Sequence, residues 1–110
     1  MVRGILSTVY GRLRDPGLTA DDCTTVLEAF YRNSKFISVL PVGTYPATKW
    51  VTRTNKALLS VQVDTRTGRI VLISAIDNLM KGQAGQAIQC LNIMAGIDNE
   101  IGLPFDSYYP

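Results

Sequence analysis

Apolar residues recur at helical spacing in two segments of the chain, of which the first covers residues 20–32. Its stripe follows the i, i+3, i+4, i+7 pattern and consists of Cys23, Val26, Leu27, Phe30 and Tyr31. Thr19 precedes the stripe as a candidate N-cap, and Asp21 and Asp22 fall in the first turn, where carboxylates interact favourably with the helix dipole. We therefore predict an amphipathic helix over residues 20–32.

The second helical segment runs from Asp77 to Gly96. Its main apolar face carries Met80, Ala84, Ala87, Ile88, Leu91 and Ala95, and a second edge carries Leu79, Cys90 and Ile93. Gly82 and Gly85 lie three positions apart within it, although glycine costs a helix about 1 kcal/mol relative to alanine. The pair indicates a close approach, either by a neighbouring element of the fold or by a ligand.

The other apolar positions favour extended chain, and the clearest pattern is a hairpin. Leu58–Asp64 alternates apolar and polar residues, Arg69–Ile76 is apolar on both faces, and residues 65–68 end in Gly68, which suits positive φ. The first arm is predicted to be half-buried, and the second to be an interior strand covered on both faces. Further strands are expected at residues 2–13 and 36–40, an extended path at residues 50–53, and an irregular tail at residues 97–110.

This order of elements predicts one domain, residues 1–110, of the α+β class, with a largely antiparallel sheet and two main helices. Its 46% hydrophobic content is enough for a core. Its net charge is +2, and its basic residues form no run, so a nucleic-acid surface is not expected. No stretch approaches the roughly 20 apolar residues of a membrane span, and the start has no apolar region typical of a signal peptide. Two cysteines are too few for a disulfide framework, which favours a reducing, cytoplasmic setting.

Little catalytic chemistry is visible in the residues themselves. The chain has no histidine, which excludes histidine general acid–base catalysis, Ser-His or Cys-His pairs and histidine metal ligands within it. Cys23 lies in the apolar stripe and Cys90 on the flank of the last helix, so both are interpreted as structural. We therefore assign no catalytic residue and no metal ligand to this chain.

Four stretches resemble the N-acetyl-gamma-glutamyl-phosphate reductase family. The opening MVRGILSTVY is similar to a family strand, and the Phe30-Tyr31 pair is similar to the end of a family helix. LPVGTYPATK resembles the family's P-x-x-x-Y-P-x-T-K loop. The longest block, DTRTGRIVLISAIDNLMKGQAGQAIQCLNIM, is similar to the hairpin and last helix of the family. Aspartate-semialdehyde dehydrogenases, which are more distant, share only the looser D-N-L-x-K-G-A pattern.

The resemblance implies the C-terminal, dimerisation-domain portion of a larger two-domain reductase, with a glyceraldehyde-3-phosphate dehydrogenase-like C-terminal fold. The family uses NADPH to reduce N-acetylglutamyl 5-phosphate to the semialdehyde and phosphate in arginine biosynthesis, through a thioester on a cysteine and with a histidine that moves protons. The motifs of that cysteine and histidine are absent from this chain, as is the glycine-rich phosphate loop. The resemblance therefore implies NADP as cofactor, a homo-oligomer, and a chain that is inactive by itself.

Five residues are candidates for contacts with ligands. Asn78 matches an asparagine near the nicotinamide carboxamide in related dehydrogenases, although an asparagine there also suits a helix cap. Lys81 and Gly82 complete the same turn, at a helix start that suits phosphate or carboxylate. Arg3 and Lys49 are candidates to bind the acidic substrate, and the alternative for each is a surface ion pair.

A standalone α+β binding or dimerisation module is the alternative function that the residues leave open. The reading frame upstream of Met1 distinguishes the two. A dinucleotide-binding domain followed by a cysteine motif and a histidine motif there would support the reductase.

Overall fold

Four strands and two α-helices make up the computed structural model, which describes residues 1–107. Tyr108, Tyr109 and Pro110, which belong to the predicted tail, lie outside the described residues. The elements in chain order are β1 (Ile5–Arg12), α1 (Ala20–Phe30), β2 (Ile37–Val39), a 3-10 turn (Thr48–Val51), β3 (Ala57–Asp64), β4 (Arg69–Ile76), a π-helical turn (Met80–Ala84) and α2 (Gly85–Met94). The predicted α+β class is confirmed.

The described strands form one mixed sheet in the order β1-β4-β3-β2. β4 pairs antiparallel with both β1 and β3, and β2 runs parallel to β3. The hairpin that joins β3 and β4 is confirmed, because Gly68 has a φ of 65° and its amide donates to the Asp64 carbonyl at 2.8 Å. β4 is the interior strand that the sequence predicts, but Ile70–Ile73 are only half-buried, so its cover is incomplete.

The core lies beside the first half of β3, where both faces of the sheet are covered. Leu58 and Ala75 pack against Val51 of the 3-10 turn. Ser60 is buried as well, so the prediction of a half-buried strand is wrong for this half of β3. Ser60 lies on the same face as Leu58, two positions away, and the segment before β3 folds over that face. The extended path predicted for residues 50–53 is also wrong, because Val51 enters the core from a 3-10 turn.

Helix α1 begins where the sequence predicts. The Thr19 hydroxyl accepts from the amide of Asp22, whose carboxylate accepts from the amide of Thr19, which forms a capping box. Its apolar stripe is only partly used, because Thr24 is the buried residue and Phe30 is 77% exposed. The helix packs on β3 and β2 with one narrow edge, so the apolar side chains at the rim of the stripe face solvent.

The last helix differs more from its prediction, because it opens with a π-helical turn and packs through a polar edge. Gly85 and Asn92 are buried, and Asn92 donates to the Ile101 carbonyl at 2.9 Å. The predicted apolar face is exposed, with Leu91 at 62%. α2 packs on the loop that carries Asn55 and on residues 99–101 through polar side chains, which leaves its apolar face without a neighbour in the described residues.

The tail after α2 lacks regular structure in the described residues, yet it is anchored. Leu103 is buried, and the Phe105 ring stacks on Phe36 at 4.5 Å between centroids. β1, in contrast, is exposed along all eight residues. The accessible surface is 7144 Å², against about 6,000 Å² for a typical monomer of this mass. The chain therefore presents more surface than a self-contained domain of its size.

Candidate functional site

A buried carboxylate joins three segments of the chain directly after β4. The Asp77 side chain is 0% exposed. Its Oδ2 accepts hydrogen bonds from Arg3 Nε at 2.8 Å and from the Arg53 amide at 2.6 Å. Its Oδ1 accepts from the amides of Leu79 and Met80 at 2.8 and 2.9 Å. Asp77 thus ties the segment before β1, the loop before β3 and the start of the last helix together.

The next residue, Asn78, also binds the segment before β1. Its Oδ1 accepts from the Gly4 amide at 2.8 Å, so Asn78 does not cap the helix, and Asp77 takes that role. Gly4 has a φ of 106°, and a Cβ there would lie 2.7 Å from Thr48 Cβ. Glycine is therefore required at this position, both by its conformation and by the close approach of Thr48. Within the described residues the Asn78 amide nitrogen has no hydrogen-bond partner.

The two candidate substrate residues lie on the wall of one cavity. This cavity of about 400 Å³ is lined by Met1, Val2, Arg3, Thr48, Lys49 and Thr52. The Arg3 side chain is 31% exposed, with Nε bound to Asp77, and Lys49 is exposed. Arg3 therefore forms an ion pair, as the alternative interpretation expected, but with a fully buried carboxylate rather than with a surface one. Two cations on one cavity wall suit an anionic ligand.

The three candidate cofactor residues follow Asp77 at the start of the last helical segment. The Gly82 amide donates to the Asp77 carbonyl at 2.9 Å, which sets the π-helical turn. Lys81 Nζ donates to Gln89 Oε1 at 2.7 Å and lies 5.8 Å from the centroid of the Phe36 ring. Burial lowers the pKa of Lys81 from its usual 10.5, and the nearby Cys90 thiol opposes that shift.

Of the two helical glycines, Gly85 is the one that a neighbour approaches closely. A Cβ on Gly85 would collide with Asn55 Oδ1 and would lie 2.8 Å from the Met80 carbonyl oxygen. A Cβ on Gly82 would meet its nearest atoms at 3.4 to 3.7 Å, which is ordinary contact. The interpretation as packing on a neighbouring element is therefore confirmed for Gly85, whereas Gly82 is exposed and would make only ordinary contacts.

The two cysteines lie in different settings. Burial raises the pKa of the Cys23 thiol, and the charge of Asp22 raises it further. Cys90 is exposed, and its sulfur accepts from Gln86 Nε2 at 3.5 Å.

Among residues 1–107 no three His, Cys, Asp or Glu side chains come together as metal ligands would. Across the same residues, no helix has the length and apolar character needed to cross a bilayer.

The pKa of Asp77 lies below its usual 3.8, although burial of the carboxylate raises it. The hydrogen bonds from the Arg53 amide, Arg3 and the first amides of the helix outweigh that burial. The folded state therefore binds the proton less readily than the unfolded state does. Asp77 stabilises the fold fully above the unfolded-state pKa, and this contribution is lost as pH falls through the lower folded-state pKa.

We expect the urea midpoint of this chain to be flat from about pH 8 to about pH 5, because it contains no imidazole that titrates there. Below about pH 4 the midpoint should fall as Asp77 is protonated. Asp77→Asn should lower the urea midpoint above pH 5 and weaken its fall in acid. Asp22 and Asp64, whose pKa values are also lowered, account for the acid dependence that remains. Equal acid slopes in the two proteins would rule out Asp77 as a source of this dependence.

Comparison with known proteins connects this arrangement to one family. A family model described as "Semialdehyde dehydrogenase, dimerisation domain" matches residues 1–78. The chain is 74% identical to N-acetyl-gamma-glutamyl-phosphate reductase of Synechococcus sp. (strain CC9605), 71% to that of Prochlorococcus marinus (strain NATL2A) and 63% to that of Synechococcus elongatus. Each match covers 100% of this chain and 31% of the relative. The chain thus spans about a third of the length of these relatives.

Proposed function

Because the chain belongs to the semialdehyde dehydrogenase dimerisation-domain family, we propose that it is part of an NADP-dependent reductase. The reaction converts N-acetylglutamyl 5-phosphate to N-acetylglutamate 5-semialdehyde and phosphate, a step of arginine biosynthesis in the cytoplasm. The observation that carries the proposal is 74% identity across all 110 residues to a reductase of that name. The cavity with two cations fits an anionic acyl phosphate.

In this proposal Arg3 and Lys49 bind the substrate. Asp77 holds Arg3 through Nε, so the two Nη nitrogens remain to bind a carboxylate or phosphate as a two-pronged donor. Lys49, on the same wall, adds a second positive charge. Both groups act by binding and orientation, which place the acyl carbon against reacting groups supplied by the rest of the protein.

Asn78, Lys81 and Gly82 make up the cofactor side of the proposal. Bound NADPH supplies the hydride that reduces the acyl group. The unpartnered amide nitrogen of Asn78 fits the carbonyl oxygen of a nicotinamide carboxamide, which would fix the face of the ring. Gly82 lets a ligand approach the turn, and Lys81 supplies positive charge beside it. The cysteine nucleophile and the histidine lie outside this chain, which contains no histidine.

The assignment of Arg3 predicts a selective loss of substrate affinity in the full-length reductase. Arg3→Ala should raise KM for the acyl phosphate on the order of 10- to 100-fold, because a charge-assisted, two-pronged contact is removed. KM for NADPH should not change. Arg14→Ala, at an exposed arginine in the turn after β1, is the matched control. An unchanged acyl-phosphate KM in Arg3→Ala would reject the assignment.

A homo-oligomer is the second part of the proposal. The 110-residue chain should self-associate at micromolar concentration, most simply as a two-fold dimer, because β1 and the apolar face of α2 are exposed. Val9→Asp on the sheet and Leu91→Asp on α2 locate the interface. The variant that places an unpaired charge in the interface should raise the dissociation constant on the order of 100-fold.

Sedimentation velocity over a concentration series gives the readout for this dimer. Asn33→Asp, at an exposed polar position, serves as a charge control. A monomer at every concentration would contradict the expected association.

A further inference from the structure

We propose that Asp77 is a positioning residue for the substrate, because its buried carboxylate holds the Arg3 guanidinium at the wall of the 400 Å³ cavity. The proposal rests on the proposed function in one respect, which is the assignment of Arg3 to the acyl phosphate. It goes further by giving a role to a side chain that does not itself line the cavity.

The hydrogen bonds of Asp77 divide between its two oxygens. Among residues 1–107, Oδ1 accepts from the helix amides of Leu79 and Met80. Oδ2 accepts from Arg3 Nε and the Arg53 amide. A carboxylate that receives four donors in a fully buried setting cannot rotate without losing some of them. The helix start therefore fixes the direction in which Oδ2 faces Arg3.

A fixed Oδ2 pre-organises Arg3 for binding. The guanidinium is planar, so a hydrogen bond at Nε sets the plane and the direction of the two Nη nitrogens. An arginine held in this way loses less side-chain freedom when a ligand binds than a free one does. Arg3 is anchored further by its neighbour Gly4, whose amide is held by Asn78.

The same oxygen also holds a second segment that lines the cavity. Arg53 has a φ of 63°, a left-handed conformation that is unfavourable for a residue with a side chain. Its amide makes the shortest of the four hydrogen bonds to Asp77, at 2.6 Å. Arg53 directly follows Thr52, which lines the cavity together with Thr48 and Lys49. Asp77 thus holds both Arg3 and the chain next to Thr52, two parts of the cavity lining.

If Asp77 were purely structural, it would act as a helix cap. Asp77→Asn separates that role from the positioning of Arg3. The amide retains one oxygen, which can still accept from Leu79 and Met80. It replaces Oδ2 with an NH₂ donor, which cannot accept from Arg3 Nε or from the Arg53 amide. The variant therefore keeps the cap and removes the positioning.

The test is steady-state kinetics of the full-length reductase with the acyl phosphate and NADPH varied in turn. Asp77→Asn should raise KM for the acyl phosphate on the order of 10-fold, with kcat and the KM for NADPH changed by less than about twofold. Asp21→Asn, at an exposed carboxylate on α1, controls for the loss of one negative charge. Asp77→Glu, which keeps the charge but displaces the carboxylate, should raise the same KM, and it replaces the first variant if Asp77→Asn does not fold.

A double-mutant cycle with Arg3→Ala separates the outcomes. If Asp77 acts through Arg3, Asp77→Asn should not raise the acyl-phosphate KM further in the Arg3→Ala background. A full further rise in that background would overturn the proposal, as would an unchanged KM in Asp77→Asn when Arg3→Ala alone raises it. If Arg3→Ala itself leaves KM unchanged, the assignment of Arg3 fails and the positioning role fails with it.

Discussion

Replacement of Gly85 by alanine is expected to destabilise the 110-residue chain by about 2 to 3 kcal/mol. The added methyl group would lie 2.8 Å from the carbonyl oxygen of Met80 and would collide with the side-chain oxygen of Asn55. Asn55 is fully buried, with its backbone amide bound to the Pro104 carbonyl and its side-chain amide bound to Gln89. Because both neighbours are held, the collision can be relieved only by displacing α2 from the loop.

Gly82→Ala is the matched control, since the two glycines lie in the same helical segment. Its methyl group would find ordinary contacts at 3.4 to 3.7 Å, so stability should be unchanged or raised by up to about 1 kcal/mol from helix propensity. Urea unfolding followed by circular dichroism measures both variants. Equal destabilisation of the two would mean that the approach of Asn55 to Gly85 is not what requires the glycine.

The strands of this fold could be predicted from the sequence, because their signals are local. Alternation in β3, the apolar run of β4 and the turn that ends in Gly68 specify the hairpin without reference to the rest of the chain. The capping box of α1 is local as well, since Thr19 and Asp22 are three residues apart. Strand order in the sheet follows from the hairpin once β1 occupies the free edge of β4.

The faces of the helices could not be predicted in this way, because periodicity identifies an apolar face but not the surface that covers it. Leu91 lies on the apolar face of α2 and is exposed, whereas Asn92 is buried because residues 99–101 return to bind it. The incomplete cover of β4 and the exposure of β1 could not be predicted for the same reason, because an apolar pattern does not show which surface covers it. Apolar positions of this kind fit a chain that is part of a larger assembly.

The candidate site was only partly visible in the sequence. Arg3 and Lys49 could be selected one by one, but only the fold brings them to one cavity. Asp77, the side chain that connects the two groups of candidates, was missed, because an acidic residue before a helix looks like an ordinary first-turn carboxylate. Its position directly after an apolar strand was the available signal, since a carboxylate there is buried and needs partners. The glycine requirement at Gly4 depends on Thr48, 44 positions away, and had no local signal.

The second large effect concerns turnover itself. The full-length reductase should oxidise NADPH with N-acetylglutamyl 5-phosphate, and the 110-residue chain alone should show no measurable rate. In the proposed function the chain supplies binding and orientation, but acyl transfer also needs an activated nucleophile and a proton carrier. Neither of its two cysteines can pair with an imidazole, because it contains no histidine. Loss of the groups that carry out the chemistry typically removes many orders of magnitude in rate, on the order of 10⁶-fold.

We propose that this chain carries the substrate cavity of an N-acetylglutamyl-phosphate reductase. The most direct test of this proposal compares phosphate release by the full-length protein with N-acetylglutamyl 5-phosphate and with aspartyl 4-phosphate, at matched NADPH. We expect one phosphate released per NADPH oxidised with the first substrate, a much lower kcat/KM with the second, and neither reaction with the 110-residue chain alone. Preference for aspartyl phosphate, or turnover by the isolated chain, would contradict the proposed function.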